Sequence, residues 1–160
     1  MDSIDRFIER KLRRDRRIRA EFGGPEPPTV DRRLVDRVAY DLGITFPPSY
    51  RKLVTTTALQ HGDRLYWVTR KADHPRNILA RQPRMAPFLV AIMAAGDGGE
   101  YCFDMREAGP GGEYPVVRWE REFGEDPDRA FDPVAPDLGS FLLEHEGGPP
   151  GTAWWIDPAG

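Results

Sequence analysis

The sequence predicts an α+β fold, in which a mainly antiparallel sheet has helices packed around it. Apolar residues recur at helical spacing in three segments before position 60, and again in one segment toward the C-terminal end. Between them lie runs that are rich in branched and aromatic residues, as strands are. These runs are too closely spaced for the crossovers that parallel strands require. Strands grouped between helices therefore favour an antiparallel sheet.

The first predicted helix is amphipathic only over its first half. Its apolar stripe, at helical spacing, consists of Ile4, Phe7, Ile8 and Leu12. After Leu12 the stripe weakens and arginines dominate, so we expect the second half to project into solvent. The break that follows, GGPEPP at 23–28, has little potential for helix or strand.

Two more helices are expected before the first strand. Apolar residues recur at near-helical spacing over 30–42, behind an expected cap at Thr29. Gly43 is the expected end of this helix, because glycine can adopt positive φ. Pro48 can begin the next helix, since its fixed φ suits the first helical position, and the apolar pattern extends to Leu59.

Four strands are expected in the middle of the chain. They are DRLYWVT at 63–69, FLVAIMA at 88–94, EYCFDM at 100–105 and VVRWERE at 116–122. The polar segment 72–84 is the expected surface insertion, with one short helix. After an acidic loop, Pro136 and Asp137 open a final helix, and we expect the tail Trp154–Trp155–Ile156 to pack back on the body.

The stretch AGDGG, at 95–99, is compatible with either a phosphate-binding loop or a hairpin bend. A phosphate-binding loop normally leads into a helix N-terminus, whose free N–H groups bind the anion. Here strand-like EYCFDM follows, and the lysine and hydroxyl residue of the P-loop pattern are missing. Asp-Gly in a short connection between two strand-like runs is typical of a hairpin. We therefore expect these glycines to serve the backbone.

The motifs of catalysis and metal binding are not found in the sequence. Its histidines are His61, His74 and His145. They form no zinc-binding pattern. The single cysteine, Cys102, excludes an internal disulfide, fits a reducing compartment, and lies in an apolar run where we expect burial. Glu120 and Glu122 would share one face of a strand as a carboxylate pair, but many solvated strand edges look the same. We expect no enzyme, no metal and no cofactor.

Charge is distributed unevenly along the chain. Residues 6–19 carry eight arginines and lysines against two acids, whereas residues 97–146 carry fourteen acids against four arginines. The acidic half would repel phosphate, so direct nucleic-acid binding is not expected. The longest apolar run, 88–95, is too short to span a bilayer, and no signal peptide is found. We expect a cytoplasmic protein without a membrane partner.

Four segments follow one another over most of the chain. They are VDRVAYDLGITFPPSYRKLV at 35–54, PFLVAIMAAGDGGEYCFDM at 87–105, YPVVRWERE at 114–122 and VAPDLGSFLLEH at 134–145. In this order and with these gaps, they resemble the SUKH superfamily, in the branch named for the yeast cell-wall-assembly regulator. One departure is that the Asn-Gly that often follows the Pro-x-x-Tyr helix of that family is reduced to Gly62.

The resemblance implies a SUKH-like α+β domain at 29–146, preceded by a basic helix and linker at 1–28 and followed by a packed tail at 147–160. It also implies a protein without catalytic residues. In bacteria such domains mostly act as immunity proteins, each of which binds a co-encoded polymorphic toxin, often a nuclease or deaminase, in the cytoplasm of the producing cell. The partner would then be a cognate toxin domain, and no small-molecule substrate is expected.

The acidic half is the candidate partner-binding surface, because an acidic inhibitor can imitate the polyanionic substrate of a basic nuclease. The predicted partner-binding residues are Asp97, Glu120, Glu122, Glu125, Asp126 and Asp128. Three alternatives stay open. The chain could be a regulatory protein-interaction module without a toxin partner. It could be a small hydrolase or nucleic-acid enzyme, with a polar cleft where a histidine meets Cys102 or paired carboxylates. It could also be an RNA-binding protein that uses residues 1–20.

Overall fold

The structure, a computed structural model, describes residues 2–60, 62–96, 98–123, 126 and 133–145. The helices in this part of the chain are α1 (Ser3–Phe22), α2 (Arg32–Leu42), α3 (Pro48–Thr56) and α4 (Leu138–His145). The strands are β1 (Leu89–Ala94), β2 (Glu100–Asp104), β3 (Val116–Trp119) and β4 (Pro133–Ala135). Short 3₁₀ turns lie at Leu79–Arg81, Pro110–Gly112 and Arg121–Phe123. The predicted α+β class is confirmed.

The four strands form one antiparallel sheet in the order β1-β2-β3-β4. The β1–β2 connection is the hairpin predicted from AGDGG, since the Ala95 N–H donates to the Gly99 carbonyl at 3.0 Å. Gly96 and Gly98 have φ of 89° and 94°, values that residues with side chains rarely adopt. These glycines therefore serve the chain reversal, as predicted, and Asp97 itself lies outside the described residues.

Local signals predicted two of the four ends of α2 and α3. Gly43 follows α2 with φ of 70°, as predicted. The predicted cap was wrong by two residues, because Asp31, not Thr29, accepts a hydrogen bond from the first turn, at 2.6 Å. α3 begins at Pro48, as predicted, but ends three residues before Leu59.

The strand predicted at 63–69 is wrong. Its apolar residues are buried, as their composition requires, but the segment has only one bridge, between Trp67 and Asn77. The Tyr66 N–H also donates a backbone hydrogen bond to the Ile92 carbonyl of β1, at 2.7 Å. The segment 72–84, expected on the surface, places Asn77 and Ile78 in the interior, and its short helix is a single 3₁₀ turn.

The end of the sheet also differs from the prediction. β3 ends at Trp119, and a 3₁₀ turn follows, so Glu120 and Glu122 do not share a strand face. β4 was not predicted, since its three residues begin with a proline and are followed by Pro136. A strand of this length is too short to show the alternation on which a prediction depends.

α1 departs most from its prediction. Ile4, Phe7 and Ile8 are buried, as the apolar stripe predicts. The expectation that the second half projects into solvent is wrong for Arg14 and Asp15, which are 1% and 3% exposed. The buried face of α1 continues in charged residues, and a stripe defined by apolar residues cannot reveal it.

The core joins all four helices to the sheet. α1 packs against α4 and α3, and α4 also packs against β4. Tyr50 of α3 is fully buried, with its ring edge-on to Phe103 of β2 at 6.1 Å and its hydroxyl donating to the Tyr66 carbonyl at 2.9 Å. α1 is therefore packed on the same core as the helices and strands after residue 29. The domain boundaries at 28 and 146 stay predictions.

Candidate partner-binding surface

The pairing of β2 with β3 brings two acidic stretches to one end of the sheet. Glu100, the first residue of β2, lies opposite Trp119, the last residue of β3. The 95–99 bend leads into Glu100, while Glu120 and Glu122 follow directly after Trp119. We call the surface formed by Glu100, Glu120 and Glu122 the acidic sheet end.

The structure describes three of the six predicted partner-binding residues. Glu120 is half-buried, and its carboxylate accepts a hydrogen bond from Arg118 Nε at 2.5 Å. Glu122 is exposed on the 3₁₀ turn, and Asp126 is exposed four residues later. Asp97, Glu125 and Asp128 lie outside the described residues, so their place in the surface stays a prediction.

Glu100 belongs to this surface although the sequence analysis did not single it out. Its carboxylate accepts a hydrogen bond from the Tyr66 hydroxyl at 2.8 Å. Burial raises the pKa of Glu100 above its usual value, and the Tyr66 hydroxyl and the charges of Arg81 and Arg121 oppose that rise. Burial, together with the nearby Glu100 carboxylate, raises the pKa of Tyr66 to about 12. The signal for Glu100 was its position directly after the predicted bend.

Arginines lie among these acids. Arg118 pairs with Glu120, and its guanidinium lies 5.9 Å from the ring centroid of Tyr101. Arg121 is exposed and acts electrostatically on Glu100. The described part of the surface therefore carries charges of both signs. Glu122 is an exposed carboxylate, whereas Glu120 is held in place by Arg118.

Two features of the described residues bear on metal binding and on cysteine chemistry. They contain no group of three or more His, Cys, Asp or Glu side chains that could hold a metal ion. The Cys102 thiol is fully buried, and its contacts include Met85 Sδ at 3.7 Å and the Glu100 carbonyl at 3.8 Å. Burial raises the pKa of this thiol well above its usual value, and the nearby carboxylates of Glu100 and Asp104 add to the rise. A nucleophilic cysteine needs the opposite environment.

We expect Cys102 to react with an aromatic disulfide reagent at pH 8 more slowly in the native protein than in denaturant, by on the order of a hundredfold. Burial and the raised pKa both leave little thiolate in contact with solvent. Stopped-flow absorbance of the released thiolate measures the two rates. Comparable rates would contradict the buried thiol and favour the hydrolase alternative.

A buried cluster of four charges connects α1 to the loop after α3. Lys11 Nζ lies 2.8 Å from both Asp15 Oδ2 and Asp63 Oδ2, and it also donates to the Ala58 carbonyl at 2.9 Å. Arg14 Nη2 lies 2.6 Å from Asp15 Oδ1 and 2.6 Å from Asp63 Oδ1. All four side chains are at most 4% exposed. The two positive and two negative charges balance, and we interpret this cluster as part of the scaffold.

A concave region of about 840 Å³ lies at the opposite end of the sheet. Its lining includes Asp104, at the end of β2, and residues 133–136 of β4 and its C-terminal flank. Asp104 is paired with Arg106 at 2.6 Å. Burial raises the pKa of Asp104, but the hydrogen bonds and charge of Arg106 outweigh it, so the pKa lies below its usual value. This region shares no residue with the acidic sheet end.

Within the described residues, no helix combines the length and the apolar character needed to cross a bilayer.

Comparison with known proteins identifies the family. No curated protein matches the chain. The sequence profile of the SMI1 / KNR4 family (SUKH-1) matches residues 29–144, which is well over half of the chain and includes α2, α3, the whole sheet and nearly all of α4. The chain therefore belongs to the SMI1 / KNR4 family (SUKH-1).

Proposed function

We propose that this protein is a non-catalytic immunity protein, which binds a cognate bacterial polymorphic toxin domain in the cytoplasm of the producing cell and blocks it. Membership of the SMI1 / KNR4 family supports an immunity-type or SMI1-like binding protein. The observation that carries the toxin proposal is the position of Glu100, Glu120 and Glu122 at one end of the sheet. The toxin would be a nuclease or another toxin that acts on nucleic acid.

The acidic sheet end suits such a toxin for electrostatic reasons. A domain that binds a polyanion presents a basic surface, and an acidic inhibitor attracts that surface before contact. Complementary charges also select the correct partner, because like charges in the wrong complex repel. Glu122 and Asp126 are exposed, whereas the Arg118 side chain orients Glu120. The proposal also includes Asp97, Glu125 and Asp128, which lie outside the described residues.

Reversing two exposed charges tests this surface. With the partner identified by affinity capture from the native cell, we expect Glu122→Lys/Asp126→Lys to slow association by about tenfold at low salt. The salt dependence of the association rate should also become shallower, because fewer complementary charges remain. Stopped-flow fluorescence over a series of salt concentrations measures both effects, and a toxin activity assay measures the loss of protection.

The matched control is Glu107→Lys, which reverses an exposed acid in the turn after β2, at the other end of the sheet. This control should associate at nearly the wild-type rate. If the double variant and the wild type associate equally fast at low salt, the acidic sheet end is not the toxin surface. If the captured partner has no toxic activity, the regulatory module becomes the better account.

A further inference from the structure

A second surface lies between α2 and the loop 69–79, and it differs in charge from the acidic sheet end. It is a groove of about 650 Å³, lined on the apolar side by Leu34, Val38 and Leu79. Arg33, Arg37 and Arg70 also line it. We call this surface the α2 groove. All three arginines are exposed, and their guanidinium groups form no ion pair with another described residue.

One exposed large apolar side chain lines this groove, and a second lies on α2 beside it. Among the described residues, the large hydrophobic side chains that stay exposed are Phe22, Tyr40 and Leu79. Leu79 lines the groove at 37% exposure. Tyr40 is 85% exposed and lies three residues after Arg37 and seven after Arg33, on the same side of α2. Tyrosine and arginine are the side chains that most often dominate binding energy at protein interfaces.

The surroundings of the groove are basic. Residues 69–79, which form the loop side, carry three arginines and lysines against one acid. An occupant with carboxylates would therefore be attracted to this side of the molecule. Nucleic acid fits less well, because Asp31 and Asp41 also line the groove and would oppose a continuous row of phosphates. A polypeptide can place its carboxylates between these acids and its apolar side chains against Leu34 and Leu79.

We infer that the α2 groove is a second docking site, which binds an acidic segment of another protein with at least one large apolar side chain. Arg33, Arg37 and Arg70 pair with the carboxylates of that segment. Tyr40 and Leu79 cover its apolar side chain. The α2 groove shares no residue with the acidic sheet end. The proposal of toxin binding can therefore be wrong while the α2 groove is still a docking site.

Fluorescence anisotropy of the full chain tests the site with a labelled twelve-residue peptide of glutamates interrupted by two leucines. We expect saturable binding that Arg37→Glu and Tyr40→Ala each weaken by about tenfold, because Arg37 lines the groove and Tyr40 lies one helical turn from Arg37, at the rim of the groove. Replacing the two leucines of the peptide by serine should weaken binding to a similar extent. Arg37 and Tyr40 are both exposed, so neither change disturbs the core.

The matched control is Arg32→Glu, an identical charge reversal at an exposed position of α2 that does not line the groove. It should change the affinity by less than about twofold. Glu122→Lys/Asp126→Lys should also leave peptide binding unchanged, which separates this site from the proposed toxin surface.

Four results would overturn the inference. One is that the peptide does not bind. The second is that Arg32→Glu weakens binding as much as Arg37→Glu, which indicates non-specific charge attraction. The third is that a twelve-nucleotide oligothymidine binds more tightly than the peptide, which assigns the groove to nucleic acid. The last is that analytical ultracentrifugation shows self-association that Arg37→Glu abolishes, which assigns the groove to a second copy of the chain.

Discussion

Replacing Asp63 by asparagine is expected to lower the free energy of unfolding by about 3–5 kcal/mol, although the two side chains have nearly the same shape. Asp63 is 3% exposed, and its carboxylate contacts Lys11 Nζ at 2.8 Å and Arg14 Nη2 at 2.6 Å. It also accepts a hydrogen bond from the Gln60 N–H at 2.7 Å. Asparagine removes the negative charge, so the cluster keeps two buried cations and only one anion, Asp15. Urea unfolding followed by circular dichroism measures the loss.

A double-mutant cycle separates charge imbalance from lost packing. Lys11→Met alone leaves the cluster with an excess of one negative charge and should also be strongly destabilising. In the variant with both Lys11→Met and Asp63→Asn, Arg14 and Asp15 remain as a balanced pair. We therefore expect the double variant to be less destabilised than the sum of the single variants by about 0.5–3 kcal/mol.

Asp73→Asn is the matched control, because Asp73 is an exposed acid in the neighbouring loop. It should change the free energy of unfolding by no more than about 0.5 kcal/mol. A loss below about 1 kcal/mol in Asp63→Asn would contradict the buried cluster, since an accessible carboxylate in contact with water is inexpensive to neutralise.

The same cluster shows why part of the fold could not be predicted. The ends at Gly43 and Pro48 and the bend at 95–99 were predictable, because each depends on the backbone preferences of one or two residues. The burial of Lys11 and Arg14 depends on Asp63, which lies 52 and 49 positions away. Charged residues count as solvent-exposed in a sequence pattern, so only the tertiary structure reveals a charge-balanced interior.

The candidate site was predictable in composition and less so in arrangement. The acids around the bend and after Trp119 were evident from charge density alone. Their meeting at one end of the sheet depends on the register that places Glu100 opposite Trp119, and no local pattern specifies that register. The ion pair of Glu120 with Arg118 was also hidden, because the strand was expected to continue to Glu122.

Gly139→Ala is expected to destabilise the protein by about 1–3 kcal/mol, although alanine favours a helix more than glycine does. Gly139 is the second residue of α4 and lies against the first turn of α1. A Cβ at this position would lie 2.5 Å from the Ile4 backbone nitrogen and 2.9 Å from the Ser3 carbonyl carbon, and it would also clash with Ser3 Oγ. Thermal unfolding by calorimetry measures the loss.

The backbone origin of this clash separates it from a side-chain effect. Truncating Ser3 to alanine in the Gly139→Ala protein removes Oγ but leaves the contacts with the Ile4 nitrogen and the Ser3 carbonyl carbon, so we expect little recovery. Glu144→Ala, an exposed change in the same helix, should alter the free energy of unfolding by no more than about 0.5 kcal/mol. Full recovery of the free energy of unfolding in the double variant would contradict the backbone clash, because it would mean that α1 and α4 are not in close contact at Gly139. α1 contacts the rest of the protein both at Gly139 and through Lys11 and Arg14 of the buried cluster. A shift of its first turn would therefore strain both contacts at once.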